Sequence, residues 1–381
     1  MKRLIGLCLA LALAASPIAA QDDPAEQARV AADQLEAAHI ALNDAERASD
    51  RVAALTQAIR AYEIGLDALR ESLRRAALRE AAIRQEFDAE SEKVSELLGV
   101  LMNIQSAAGP LVMLHPAGPL GTARSGMIVS DVTPELQKQA LQLRARLEEV
   151  ALLRALQESA AETLQQGLMD IQTARTDLSQ AISDRTDLPQ RYVADPERLQ
   201  NLIDSSETLE GFASGLSGVS PGTTADDPIQ DLGAAKGTLP LPVSGTVLRK
   251  FNEVDSAGVK RPGIVVATRP LAIVTNPWPA TIRYRGPLLD YGNVMILEPE
   301  SDTLLVLAGL DQVYGAVGQV VPPATALGYM GGATPDPETF LLNSENGAGS
   351  ELTETLYIEL RVGGEPVDPA AWFAETKEKT E

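Results

Sequence analysis

The chain has 381 residues, with 32 Lys and Arg against 53 Asp and Glu and a formal charge of −21. That balance argues against nucleic-acid binding, which depends on neutralising phosphates, and against non-specific adhesion to anionic lipid. A single cysteine, Cys8, excludes an intrachain disulfide framework, and the two histidines, His39 and His115, leave little for a catalytic metal.

Lys2 and Arg3, the apolar run Leu4–Ala15 and the small residues up to Ala20 read as a secretory signal spanning residues 1–20. The expectation is an exported, periplasmic protein, because no later stretch approaches the roughly 20 apolar residues of a spanning helix. Residues 25–50 are helical in composition and form a looser lead-in. From Val52 the apolar residues follow a heptad. One series runs Val52, Ile59, Leu66, Leu73, Glu80, Phe87, Val94, Leu101, and the other Leu55, Tyr62, Leu69, Ala76, Ile83, Glu90, Leu97, Ile104. Such alternation predicts a coiled-coil helix about 80 Å long. Glu80 and Glu90 interrupt the seam or fix its register.

A second series runs from Leu136 to Ile182, with Asp131 or Thr133 as cap and Pro134 in the first turn. The Gly- and Pro-rich residues 108–130 between the two are expected to be an irregular tip, so that residues 21–187 fold as an antiparallel coiled-coil hairpin. Asp195-Pro196 starts a shorter helix with Leu199, Leu202, Ile203, Leu209, Phe212 and Leu216 on one side. The segment 188–216 either packs on the hairpin or regulates the domain that follows. Residues 217–236 are a linker by composition. Short β runs follow at Thr246–Phe251, Gly263–Ala267, Leu271–Val274, Thr281–Tyr284, Asn293–Leu297, Thr303–Leu307 and Leu356–Val362. Residues 237–373 are therefore an all-β domain and 374–381 a charged tail. The fold class is α + β, multidomain.

The run Leu356-Tyr357-Ile358-Glu359-Leu360-Arg361, then Gly363, Pro366-Val367-Asp368-Pro369 and Trp372, resembles the end of a LytM (lysostaphin-like) peptidase domain. Pro242-Val243-Ser244-Gly245, Tyr291-Gly292-Asn293 and Val317-Gly318-Gln319-Val320 before Ala326-Leu327-Gly328 support the resemblance. With a coiled-coil N-terminal half, the chain is similar to the EnvC-type murein hydrolase activators. Active members of the peptidase family carry His-x-Gly-x-Asp, a middle-strand His and His-x-His. The positions that match hold Arg261, Val265, Gly309, Thr355 and Tyr357, so the resemblance implies a degenerate, non-enzymatic domain with no metal or other cofactor. It further implies that the domain binds a periplasmic N-acetylmuramoyl-L-alanine amidase in cell division and daughter-cell separation. The coiled coil would dock on the FtsE–FtsX complex, an outside helix would occlude the groove, and peptidoglycan is a further candidate ligand. Carried over by position, the groove residues are Arg261, Tyr291, Val294, Tyr357 and Arg361. The acidic stretch 333–355 departs from the pattern and either forms a loop or reshapes one groove wall. Competing expectations are a zinc metalloendopeptidase, a periplasmic adaptor of an efflux or secretion system, and a passive peptidoglycan-binding scaffold.

Overall fold

The computed structural model describes residues 24–106, 118–185, 188–191, 196–217, 232–254, 258, 260–333 and 352–374. The expected signal segment, residues 107–117 of the tip, 218–231 of the linker, 334–351 of the acidic stretch and most of the charged tail lie outside the described residues.

Three helices come first: α1 (Pro24–Asn43), α2 (Ala48–Ser106) and α3 (Gly118–Ser183). The second and third run antiparallel: moving up α2 from Glu80, paired with Arg154 at 2.9 Å, to Glu86, paired with Arg146 at 3.6 Å, moves down α3, and Arg79–Glu149 at 2.7 Å joins the same stretch. The heptad residues Val52, Leu55, Ile59, Leu66 and Leu73 meet Leu164, Ile171 and Leu178 in one buried cluster. Glu80 is 5% exposed in that seam and accepts from both Arg84 and Arg154. The polar interruption therefore joins the two helices at one level, where an apolar residue would tolerate several.

Two expectations about this region need correction. Helix α3 begins at Gly118 and runs through Pro134, which is internal and not in a first turn. A proline removes one helical hydrogen bond and costs about 3 kcal/mol, a local defect in a helix of 66 residues. Much of the supposed irregular tip is therefore helix. Nor is the N-terminal lead-in loose. It is a separate helix whose Ala31 and Ala38 are buried, and a Cβ on Gly65 of α2 would lie 3.4 Å from Ala31 Cβ. Small residues on both surfaces let α1 and α2 approach closely.

The β domain starts at the short 3₁₀ turn Leu232–Ala235, whose Leu232 and Ala235 are buried in the domain core, so the linker ends earlier than composition suggested. Among the described residues ten strands follow: β1 (Gly245–Arg249), β2 (Ile264–Thr268), β3 (Ile273–Thr275), β4 (Ala280–Pro287), β5 (Asn293–Glu300), β6 (Thr303–Val313), β7 (Val320–Val321), β8 (Ala326–Met330), β9 (Glu354–Val362) and β10 (Glu365–Val367). They pair antiparallel in the order β1-β2-β9-β6-β5-β4-β7, with β10 on β9 and β8 joining β6 to β3. One face of the central strands carries Ile264, Val266, Leu305, Leu307, Leu356, Ile358 and Leu360, which form the main core.

The other face carries Val265, Val294, Ile296, Leu304, Val306, Ala308 and Tyr357, and it too is covered. The cover is the segment expected to be one short helix, here two: α4 (Pro196–Ser205) and α5 (Leu209–Ser217). The six apolar residues expected on one side of it all face this sheet surface, joined by Ala213; Leu209, Phe212, Ala213 and Leu216 are buried and Leu199, Leu202 and Ile203 partly so. Burial of one such side chain stabilises by about 2 kcal/mol before ordering entropy is subtracted. Before α4, Pro189 O accepts from Val320 N, and Arg191 N donates to Gly318 O, so residues 189–191 lie along the β7 edge of the sheet.

Candidate functional site

Strand β9 alternates strictly, so Tyr357, Glu359 and Arg361 share the face opposite the main core. The Tyr357 hydroxyl donates to Glu359 Oε2 at 2.7 Å, and Arg361 Nη1 donates to Glu359 Oε1 at 2.7 Å. Arg361 Nη2 also reaches Ser214 Oγ on α5 and Gly364 O in the following turn, both at 2.7 Å. Glu359 is 1% and Arg361 2% exposed. Burial holds the Glu359 carboxyl above the ordinary carboxylate range, against the pull of Tyr357 and Arg361. Burial also drives the Tyr357 hydroxyl far up, and the adjacent Glu359 adds to it, so Tyr357 stays neutral and acts as a donor.

Neighbouring strands place the other expected groove residues around this row. Val265 of β2 and Ala308 of β6 both stand opposite Tyr357 in register. Val294 is fully buried in the same cluster, and Tyr291 packs on its edge. Arg261 is exposed, with its guanidinium carbon 5.9 Å from the Tyr291 ring centroid. All five candidates therefore surround one surface, but as a covered one: Tyr357, Val294 and Arg361 are interior residues. The wall over them is α5, which follows the sheet surface closely through Phe212, Ala213 and Leu216. Phe212 lies edge-on to Tyr284 with centroids 4.8 Å apart, and Arg283 Nη2 donates to the Leu216 carbonyl.

Of the five positions that the resemblance matched to zinc ligands, four offer little to a cation. Val265 and Gly309 offer no donor, Arg261 brings a positive charge, and the Tyr357 oxygen is committed to Glu359. Gly309 has φ of 97°, and a Cβ there would fall 2.7 Å from the Thr355 carbonyl oxygen, so the backbone excludes a ligand side chain as well. A Cβ on Gly263 would likewise meet Ile358 O and the Tyr357 ring at 2.6 Å. Tyr357 thus occupies the space in front of β2. Among the described residues no group of three or more His, Cys, Asp and Glu is placed to bind a metal.

Sequence reasoning missed the partners that fix this surface: Glu359, Ser214 and Arg283. Glu359 was visible as an acidic residue inside an apolar strand, a pattern that signals a buried pair; Ser214 left no such sign. It also missed a second contact, where the base of the hairpin meets the opposite side of the β domain. Glu63 Oε1 accepts from Ile273 N at 2.8 Å, and Arg175 donates to the Leu271 carbonyl and lies over the Tyr329 ring. Arg60 donates to Thr275 and Arg269 pairs with Asp67. The apolar part of this contact is Ile273, Tyr314, Ala326 and Tyr329 against the helical core.

No family profile matches the chain. It is 27% identical over 138 residues to an uncharacterised protein of Neisseria meningitidis serogroup B, covering 36% of this chain and 20% of that protein. It is 28% identical over 142 residues to an uncharacterised protein of Haemophilus influenzae, covering 37% and 31%. The chain thus spans less than a third of the length of either relative. Among solved structures it is similar to Csd3 of Helicobacter pylori, with 17% identity over 39% of each chain and a TM-score of 0.28. It is also similar to a putative M23 peptidase of Pseudomonas aeruginosa, with 16% identity over 47% of this chain and 65% of that one and a TM-score of 0.30. The third is lysostaphin, with 12% identity over 38% and 61% and a TM-score of 0.28. These structures are of the M23 and lysostaphin kind, and at such scores the likeness decides nothing about chemistry or partners.

Proposed function

We propose that the chain is a non-enzymatic periplasmic activator of peptidoglycan amidases, held inactive by its own α4–α5 segment. The observation that carries this reading is the cover. Seven apolar side chains of one segment lie on the sheet surface bearing Tyr357, Val294 and Arg361. The degenerate ligand positions supply no hydrolytic metal site, so the use left to that surface is binding. Arg and Tyr suit it, since they bring large contact area and directed hydrogen bonds. The sequence resemblance to EnvC-type activators names the partner class, an N-acetylmuramoyl-L-alanine amidase, and assigns the distal hairpin to the FtsE–FtsX complex.

The test compares the full chain with a variant lacking residues 190–220 for stimulation of a purified amidase on peptidoglycan. The expected result is greater stimulation by the deletion variant. Equal or lower stimulation by a folded deletion variant overturns the inhibitory role of the cover. Failure of both proteins to stimulate overturns amidase activation itself.

A further inference from the structure

The joint between the base of the hairpin and the β domain is small and polar. On the β side its apolar part is Ile273, Tyr314, Ala326 and Tyr329, while the helical seam and the main sheet core each close without it. Units of one chain that meet through a small, polar contact move relative to one another unless something locks them. The charged part lies on one face of α2, where Arg60, Glu63 and Asp67 follow helical spacing, with Arg175 of α3 beside them.

Glu63 sits at the centre of this joint, and its two oxygens differ. Oε1 accepts from Ile273 N at 2.8 Å, which satisfies a backbone donor of β3. Oε2 is buried and makes no hydrogen bond among the described residues. The neighbouring cations are spent elsewhere. Arg175 Nη2 lies 3.8 Å from Glu63 and donates instead to Leu271 O at 2.8 Å, and Arg60 donates to Thr275. Asp67 is taken by Arg269 and Arg70. Tyr329, whose hydroxyl is also buried without a partner, lies under the Arg175 guanidinium, with Tyr314 edge-on to it. A buried carboxylate with one bare oxygen is costly, and the neutral acid costs less in the same place. Burial accordingly pushes the Glu63 carboxyl up to about 7, against the pull of the Ile273 N–H, Arg175 and Arg60, while Asp67 adds to the rise. We propose that this joint is a proton-dependent latch, closed while Glu63 carries a proton and released when Glu63 ionises, so that the hairpin can swing on the β domain. Latched, the last turns of α3 are fixed through Arg175, Leu178 and Ala181, and load on the hairpin bypasses residues 189–191. Unlatched, those residues carry it. The latch goes beyond the activator reading and does not depend on it.

The test is amide hydrogen exchange of the full chain at pH 5 and pH 8, corrected for base catalysis, with Glu63→Gln beside it. A carboxyl raised from about 4.5 to about 7 on closure favours the closed state at low pH, and the closed-to-open ratio falls roughly seventyfold between those two pH values. Protection of the Ile273 amide, which reads the Glu63 bond itself, should fall by that factor in the wild type, while β5 and β6 keep theirs. In Glu63→Gln, which has the same shape and cannot ionise, Ile273 protection should not change with pH. In a Cys8→Ser background, spin labels at Glu162→Cys and Ser301→Cys should give one narrow distance at pH 5 and a broad distribution at pH 8. Equal Ile273 protection at both pH values overturns the proposal, and so does a distance that stays narrow at pH 8. An equal fall in Glu63→Gln would place the titration elsewhere and overturn it too. Parallel loss in β5 and β6 would mean that the whole domain opens, which is no latch. If Glu63→Gln does not fold, the wild-type exchange and distances decide by themselves.

Discussion

Replacing Phe212 with Ala should release the cover while leaving the β domain folded. Phe212 is fully buried between α5 and β4, and its ring meets Tyr284 edge-on at 4.8 Å. Truncating a buried Phe costs about 3–5 kcal/mol. The domain's main core lies on the far side of the sheet, so this loss falls on docking of α4–α5 and not on strand pairing. A loss of about 3 kcal/mol shifts the docked-to-released ratio about a hundredfold. Amide hydrogen exchange reads this directly. Protection within Leu209–Ser217 should fall about a hundredfold, while β5, β6 and β9 keep theirs because their ladder bonds remain. If the activator reading holds, amidase stimulation should rise in parallel. Unchanged protection in α5 would refute the reasoning. So would equal loss in α5 and the central strands, since cover and sheet would then open as one unit.

Three further outcomes follow from the same geometry. Burial pushes the Glu63 carboxyl up to about 7, so its contribution favours the packed state below the ordinary carboxylate pKa and is lost as pH rises through about 7. Relative to Glu63→Gln, the wild type should therefore lose up to about 3 kcal/mol between pH ~4.5 and ~7.5; parallel denaturation profiles would contradict this. Arg361→Ala leaves Glu359 buried without its cation and should cost about 3–5 kcal/mol in urea denaturation. Replacing both residues with Leu should recover most of that loss. Gly309→Ala forces a side chain into positive φ against the Thr355 carbonyl and should lower stability by about 2 kcal/mol or more; a neutral effect would show that the backbone relaxes there.

The parts of this fold that could be read from sequence are those with a simple period. The heptad leucines predicted the seam between α2 and α3, and β runs were expected where seven of the strands lie, because alternation and turn residues mark them. Pro134 misled because a cap signal and an internal defect look alike in sequence, and the Gly- and Pro-rich stretch before it suggested an irregular tip. Strand β8 was missed because all five of its residues are buried, some in the domain core and Ala326 and Tyr329 against the hairpin, which erases alternation. The candidate site was legible as a set of positions on neighbouring strands. A cover over it was expected only through the resemblance and left open between two packings, since the contact that buries Arg361 is made by Ser214, 147 residues away in the chain. Glu63 and Arg175 gave no warning for the same reason: each meets the β domain across a long stretch of intervening sequence.

The pinned segment at the sheet edge limits how far the cover can travel. From Arg191, bonded to Gly318 O, four residues lead to α4, a reach of at most about 17 Å. A released α4–α5 therefore stays near the surface it left, at an effective concentration on the order of millimolar. Any ligand of the Tyr357–Arg361 face competes with an occupant that never dilutes away, and lowering the protein concentration does not open the site. Opening requires either a stronger competitor or a pull on the hairpin that strips residues 189–191 from β7, and this second route turns a peptide tether into a trigger.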